Sequence, residues 1–249
     1  MENYQYQYNL SDSYKTLYNH SERIQKAEKI IAILKDYFND VLKDLRLIDI
    51  GSSTGIITNH LSKHFCDTVG IDIDENAVKY AKENFENTRL HFFIQDSMDI
   101  KFPDNTFDVV NCTHIYEHVP DSHQLMREIF RILKPGGICF FSAGNRFVLI
   151  EGHYKLPLLS VMPKWMAHIY LRLMGRGKYY YENHLSLWGL KKLVSKFELI
   201  DYTRLAIQFP ERFHLVEMVS SGGFKQKLGL FVLKFAYWLS PNYLWVLKK

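Results

Sequence analysis

The sequence predicts an α/β fold, a sheet of largely parallel strands with helices on both faces. Three observations point to it. Between about Leu45 and Asn145, short apolar runs alternate with stretches whose apolar residues recur at helical spacing. Repeated strand-then-helix units of this length imply parallel strands whose crossovers cover the sheet on both sides. Two glycines four residues apart, Gly51 and Gly55, stand between the first apolar run and the helical pattern after it.

The elements follow in order. After a tyrosine-rich leader, "SERIQKAEKIIAILKDYFNDVLKD" places Ile24, Ala27, Ile30, Ile31, Leu34, Phe38 and Leu42 on one helical face, with Ser21 as its expected N-cap. "LRLIDI" is the first buried-strand candidate and "TVGIDI" the second. Asp74 can cap the helix "DENAVKYAKENFEN" that comes next. "LHFFIQD" and "FDVVNCTHI" are the third and fourth strands. The helix "DSHQLMREIFRIL" is expected to end at Lys134-Pro135-Gly136-Gly137, ahead of a fifth strand, "ICFFSAGN". From Arg146 to about Leu185 the rhythm breaks into a Tyr-, Leu-, Pro- and His-rich insertion. A helix "SLWGLKKLVSKF" and a strand "ELIDYTRLAI" follow, then an aromatic insertion from Gln208 to Ser240. "NYLWVLKK" closes the chain as a strand begun by Pro241. This organisation is one domain over 1–249: a helical segment 1–44, a core 45–145, and insertions 146–185 and 208–240.

Bulk properties exclude several classes. With 47% apolar and 23% charged residues the chain has the make-up of a globular domain. A formal charge of +4 is too small to imply a nucleic-acid partner. Cys66, Cys112 and Cys139 are odd in number and far apart, so neither a disulfide framework nor zinc spacing can be built, and a reducing, cytoplasmic setting is expected. The N-terminal stretch "MENYQYQYNLSDSYKTLYNHSERIQ" has no apolar signal core. "LGLFVLKFAYWL" (Leu228 to Leu239) is too short to span a bilayer and carries Lys234; it could lie on a membrane.

In an open parallel sheet ligands bind at the carboxyl ends of the strands. The first strand ends at Asp49-Ile50-Gly51, and glycine there lets the backbone approach a ligand closely. The second ends at Asp72, roughly 20 residues past the first glycine, where a carboxylate can accept both hydroxyls of a ribose. A dinucleotide fingerprint would need glycine at 51, 53 and 56; the residues are Gly51, Ser53 and Ile56, which counts against a nicotinamide oxidoreductase on a similar sheet.

At these residues the sequence resembles the class I S-adenosylmethionine-dependent methyltransferases, in particular the small-molecule branch related to quinone-biosynthesis enzymes. "LIDIGSSTG" is similar to the family's D-x-G-x-G-x-G motif. "VGIDIDENAVKYAKEN" is similar to its ribose-binding block, "FFIQDSMDIKFPDNTFDVVNCTHIYEHVPD" to its third and fourth blocks, and "LMREIFRILKPGGICFFS" to its fifth. The resemblance implies a Rossmann-like, mostly parallel seven-stranded sheet whose last strand is antiparallel. It also implies S-adenosylmethionine as cofactor and S-adenosylhomocysteine as product. Asp49, Gly51 and Gly55 would lie by the methionine moiety, Asp72 at the ribose, Ile73 on the adenine, Asp96 with Ser97 at the adenine edge, and His114 near the sulfonium. Ser53 replaces the motif's middle glycine; it is small enough to keep the turn, and its hydroxyl could bond the carboxylate.

Methyl transfer needs alignment of the acceptor and, where the acceptor must lose a proton, a base. The catalytic candidates are His118, in "HIYEHVPD", and His153, in the first insertion. Relatives with E-x-x-E-H at this point imply a divalent metal; here H-x-x-E-H with His153 could offer His114, Glu117, His118 and His153 as mixed ligands. The reading preferred over a metal is that the Glu and His orient the following loop. The insertions should define a small-molecule acceptor, and the first weakly resembles those of methyltransferases associated with surface polysaccharides or lipid-linked substrates. In the second, Phe224, Leu228, Phe231, Leu233, Phe235, Trp238 and Leu239 accompany Lys225, Lys227 and Lys234. These apolar residues are read as spread over more than one helical face and buried on the domain or in a dimer, with a peripheral membrane contact as the alternative. The function expected is methyl transfer to a hydroxyl of a small or amphipathic acceptor. A non-catalytic cofactor-binding or membrane-docking protein is the remaining rival.

Overall fold

A computed structural model of the chain describes residues 8–249. The first residues of the leader, part of the stretch expected to lack a signal core, lie outside the described residues. Seven strands form one sheet: β1 Arg46–Ile50, β2 Asp67–Asp72, β3 Leu90–Ile94, β4 Phe107–Thr113, β5 Leu133–Gly144, β6 Glu198–Asp201 and β7 Asn242–Lys248. Their order is β3-β2-β1-β4-β5-β7-β6. β1 to β5 pair in parallel, whereas β7 runs antiparallel to both neighbours, β5 and β6. The order therefore reverses at β1, which lies between β2 and β4, and this is the switch point where the strand ends open a crevice.

The helices are α1 Leu10–Ser13, α2 His20–Phe38, α3 Ile56–Ser62, α4 Glu75–Phe85, α5 Ser122–Ile132, α6 Lys164–Leu173, α7 Leu187–Leu193, α8 Thr203–Gln208 and α9 Phe224–Phe235. Side-chain alternation along the strands builds a core on each face of the sheet. Ile48, Val110, Cys112, Cys139 and Phe141 pack with Leu125 and Ile129 of α5 and Leu190 of α7. Leu47, Val109, Ile138 and Phe140 pack with Ala27, Ile30 and Leu34 of α2 and Ala206 of α8. The three cysteines are free, with Cys112 and Cys139 buried.

Several boundaries depart from the sequence reading. Asn19, not Ser21, caps α2, its side-chain oxygen accepting from the Glu22 amide. That helix stops at Asn39 and Asp40, both in the left-handed region, so Leu42 leaves the helix and is buried from the loop. Asp74 caps α4 through the Ala77 amide, as expected. The Lys134–Gly137 stretch is not a break between helix and strand: it lies within β5, beside a register shift in its pairing with β4. The run after Glu198 is strand for four residues only. Asp201 accepts from the Thr203 amide and turns the chain into α8, so β6 leaves the sheet there although β7 runs on to Asn242 beside β5. Among the described residues no helix is long and apolar enough to cross a membrane.

The insertions are pinned at their roots. The Tyr116 hydroxyl donates to the Gly144 carbonyl (2.5 Å) and accepts from the Leu185 amide (3.1 Å), while the Arg146 amide donates to the Leu185 carbonyl. The first insertion thus leaves and returns at one point, and it carries a small core of its own, formed by Leu156, Leu159, Ala167, Leu171 and Tyr180. Asn145 holds the end of the second by donating to the carbonyls of Trp238 and Ser240.

Candidate active site

A cavity of about 610 Å³ opens over the carboxyl ends of β1, β2 and β4 and is covered from the N-terminal side by Tyr14, Leu17, Arg23 and Lys26. Its floor is the turn after β1. Gly51 has φ +73°, a backbone that favours glycine, and a Cβ there would fall 2.1 Å from Ile115 Cδ1, so that side chain would have to move. The Gly51 and Ser52 amides donate to the Ile71 carbonyl, tying the turn to β2. Ser53 adopts φ +49°, and its amide donates to the Asp72 carboxylate at 2.7 Å. Serine thus occupies the left-handed position, and its amide is fixed by the acid of the second strand. Gly55 does not line the cavity. It stands behind the turn at φ +74°, where a Cβ would meet Ala81 and Phe92, so its glycine is required by packing.

Asp49, Gly51, Ser53, Asp72, Ile73, Asp96, Ser97 and His114 all line the cavity, with His118 and His153 on its far wall. Asp49 is buried, accepting from Thr58 Oγ1 at 2.5 Å and from Asn111 Nδ2 at 2.6 Å. Burial pushes its carboxyl up to about 6, against those two hydrogen bonds and the nearby Arg23 charge. Asp72 accepts from the amides of Ser53 and Asp74; burial raises its pKa and these bonds oppose the rise. Asp96 accepts from the Met98 amide, which turns the chain after β3 beside Ser97.

The H-x-x-E-H stretch begins at the end of β4. His114 takes a left-handed conformation (φ +57°) and places Nδ1 3.1 Å from Glu117 Oε1. Glu117 is buried. Burial would raise its pKa, but the hydrogen bond from His114 and the charges of His114, His118 and His184 hold it at about 2. Burial lowers His118 to about 4, leaving a neutral ring at pH 7. The His118 and His153 rings meet edge to face, with centroids 4.9 Å apart. Burial also works against a charged His153, but its hydrogen bond to Glu151 and the charges of Glu182, Glu151 and Glu117 outweigh this and raise its pKa.

The four residues proposed as a mixed ligand set are not grouped that way. His153 instead gathers two sets whose ligand atoms lie within 4.8 Å of one another: with His118 and Glu182, and with Glu151 and His184. Sequence reasoning passed over Glu151, Glu182 and His184, although the pattern E-x-H occurs at both ends of the first insertion, at 151–153 and 182–184. Arg23, Asn111 and Thr58 also escaped notice, since only the fold brings them to Asp49.

Comparison with known proteins agrees with this geometry. The family described as a methyltransferase domain matches residues 48–141. The ubiquinone biosynthesis O-methyltransferase of Coxiella burnetii (strain RSA 493 / Nine Mile phase I) is 30% identical over 126 residues, covering 47% of this chain and 54% of that protein. The protein of the same name from Methylococcus capsulatus is 33% identical over 135 residues, covering 53% of each. The chain thus spans about half the length of the curated relatives it matches. A solved S-adenosylmethionine dependent methyltransferase from Mesorhizobium loti superposes with a TM-score of 0.56 at 16% identity, covering 84% of this chain and 93% of that one, a likeness of fold.

Proposed function

We propose that this chain, a member of the class I S-adenosylmethionine-dependent methyltransferases, transfers a methyl group to an oxygen of a small or amphipathic acceptor. The observation that carries the reading is the pairing of two carboxylates, buried Asp49 and half-buried Asp72, at the ends of adjacent parallel strands around a turn whose left-handed backbone at position 51 favours glycine. A dinucleotide would need close backbone approach at position 56 as well, where Ile56 packs its buried side chain.

The residues fit the cofactor's parts. Asp72 offers a carboxylate for ribose hydroxyls, Ile73 an apolar surface for the adenine, and Asp96 with Ser97 polar groups for its edge. Asp49, held by Thr58 and Asn111, suits an ammonium group, and Arg23 is the cation available to a carboxylate. When bound, the cofactor supplies an electrophilic methyl group on a sulfonium. The chain orients the acceptor and takes its proton. His118 is neutral at pH 7 and lines the cavity, which suits a base; His153 is the second candidate. Retention of O-methyltransferase relatives at about a third identity supports an oxygen acceptor. An amphipathic acceptor is supported by the exposed apolar surface on α6 and α9.

Calorimetric titration with S-adenosylmethionine and S-adenosylhomocysteine tests the reading, with Asp72→Ala alongside. Micromolar binding should weaken by roughly 1.5–3 kcal/mol when the charged acceptor is removed. Unchanged affinity in Asp72→Ala would take that residue out of the site. No binding by folded wild type would move the non-catalytic reading ahead.

A further inference from the structure

Two carboxylate–histidine pairs from opposite ends of the first insertion meet beside the cavity, and one set is built to hold more than a proton. Glu151 is fully buried, and its Oε2 accepts from the amides of His153 and Tyr154, both at 2.8 Å. These bonds fix the carboxylate so that Oε1 lies 2.7 Å from His153 Nδ1 and 3.5 Å from His184 Nε2. The His184 side chain is 6% exposed, yet its Nδ1 has no hydrogen-bond partner among the described residues and its Nε2 has only the long contact to Glu151. A buried imidazole without hydrogen bonds is costly, and one aimed at a fixed carboxylate oxygen is an arrangement that a cation would complete.

We propose that Glu151, His153 and His184 form a binding site for a first-row divalent metal ion, with zinc the best match. Two imidazoles and one carboxylate are a ligand set that zinc takes while keeping a further position open. The carboxylate is already oriented by backbone amides, the supporting layer that metal sites need. His153 lines the cavity whereas Glu151 and His184 do not, so a metal held by the three would adjoin the cavity wall. Lys164 steadies the approach to His184 by donating to the carbonyls of Tyr180, Tyr181 and Glu182. The alternative set, His118 with His153 and Glu182, is looser: His118 Nδ1 stands 3.9 Å from Glu182 Oε1. The metal site stands without the methyl-transfer reading; only the assignment of its open position to an acceptor oxygen rests on that reading.

The test is titration of the full chain, stripped with chelator, with Co2+ followed by visible absorption, then with Zn2+ in competition. One Co2+ per chain is expected, with ligand-field bands that Zn2+ abolishes. His184→Gln and Glu151→Gln should weaken binding by on the order of 100-fold or more, while His118→Gln stays within a few-fold of wild type. Circular dichroism checks that each variant folds. If the buried substitutions unfold the chain, X-ray absorption at the zinc edge of the wild type decides, two imidazoles with oxygen being expected. No stoichiometric Co2+ binding, binding that survives His184→Gln, loss in His118→Gln alone, or a zinc shell without imidazole would each overturn the proposal. Calorimetry of Asp72→Ala separates the two ideas, because that variant should lose the cofactor and keep the metal.

Discussion

Asp49 illustrates a buried carboxylate that costs the ligand-free protein stability at neutral pH. A carboxylate buried between Thr58 and Asn111 has its pKa raised to about 6 in the fold, against 3.8 when exposed. The folded state therefore binds more protons than the unfolded chain between these values. The stability that Asp49 contributes is present below about pH 4 and is lost as the pH rises through about 6, a change of ~3 kcal/mol by linkage. Asp49→Asn should thus raise the melting temperature of the ligand-free chain at pH 7 relative to wild type, lose that advantage near pH 4, and bind the cofactor less tightly. An equal melting difference at both pH values would refute the linkage. The two candidate bases separate in the same way. In the metal-free chain, if His118 takes the acceptor's proton, the acid limb of kcat/KM should lie near pH 4; a limb above 6.5 would assign the step to His153, whose pKa is raised. Asp49 and Asp72 were legible in the sequence because each stands at the end of a strand at the switch point, whereas Asp96, which follows the edge strand β3, came only with the family resemblance. Arg23 and Asn111 were not, because no spacing relates α2 or β4 to a carboxylate on β1.

Turns and insertions, more than strands, decide what the fold can hold. Gly51→Ala would force alanine into the left-handed region, at about 1–2 kcal/mol, and drive its methyl into Ile115, adding ~1–3 kcal/mol of overpacking. The melting temperature should fall by roughly 2–4 °C for each of those kcal/mol, with cofactor binding lost. An alanine variant that melts and binds like wild type would mean that the turn relaxes freely. The strands of the core could be read from apolar runs because β1, β2, β4 and β5 are buried along most of their length, whereas β3 at the sheet edge leaves Phe93 and Ile94 exposed. The run after Glu198 misled because Asp201 captures the Thr203 amide and starts α8, a turn that the apolar pattern of the run does not show. The E-x-H pairs escaped for a related reason. They lie 31 positions apart and become neighbours only because Tyr116 and Arg146 close the insertion at its root.

At the scale of the whole molecule, charge and apolar exposure coincide. The sequence reading spread the apolar residues of the second insertion over more than one face of a helix that buries them on the domain or in a dimer. In the fold, α9 buries Gln226 and Leu233 fully and Leu230 and Val232 in part, with Gln226 donating to the carbonyls of Ile207 and Gln208 at the end of α8. Phe224, Leu228, Phe231 and Phe235 remain exposed at spacings of four, three and four, a single stripe. α6 adds exposed Trp165, Ile169 and Leu173. Neither 155–178 nor 224–239 contains an acidic residue, while both carry several lysines or arginines. An apolar stripe edged only by cations suits the interface of an anionic bilayer, where each basic residue near the surface contributes about 1 kcal/mol. The chain should therefore sediment with vesicles containing phosphatidylserine, less so as salt rises. Replacing Phe224, Phe231 and Phe235 together by serine should release it, with the exposed positions leaving the fold intact. Sedimentation that ignores both salt and the triple substitution would remove the bilayer from this face. A concentration-dependent dimer of the wild type, abolished by the same substitutions in analytical ultracentrifugation without vesicles, would give the stripe to a second copy of the chain instead.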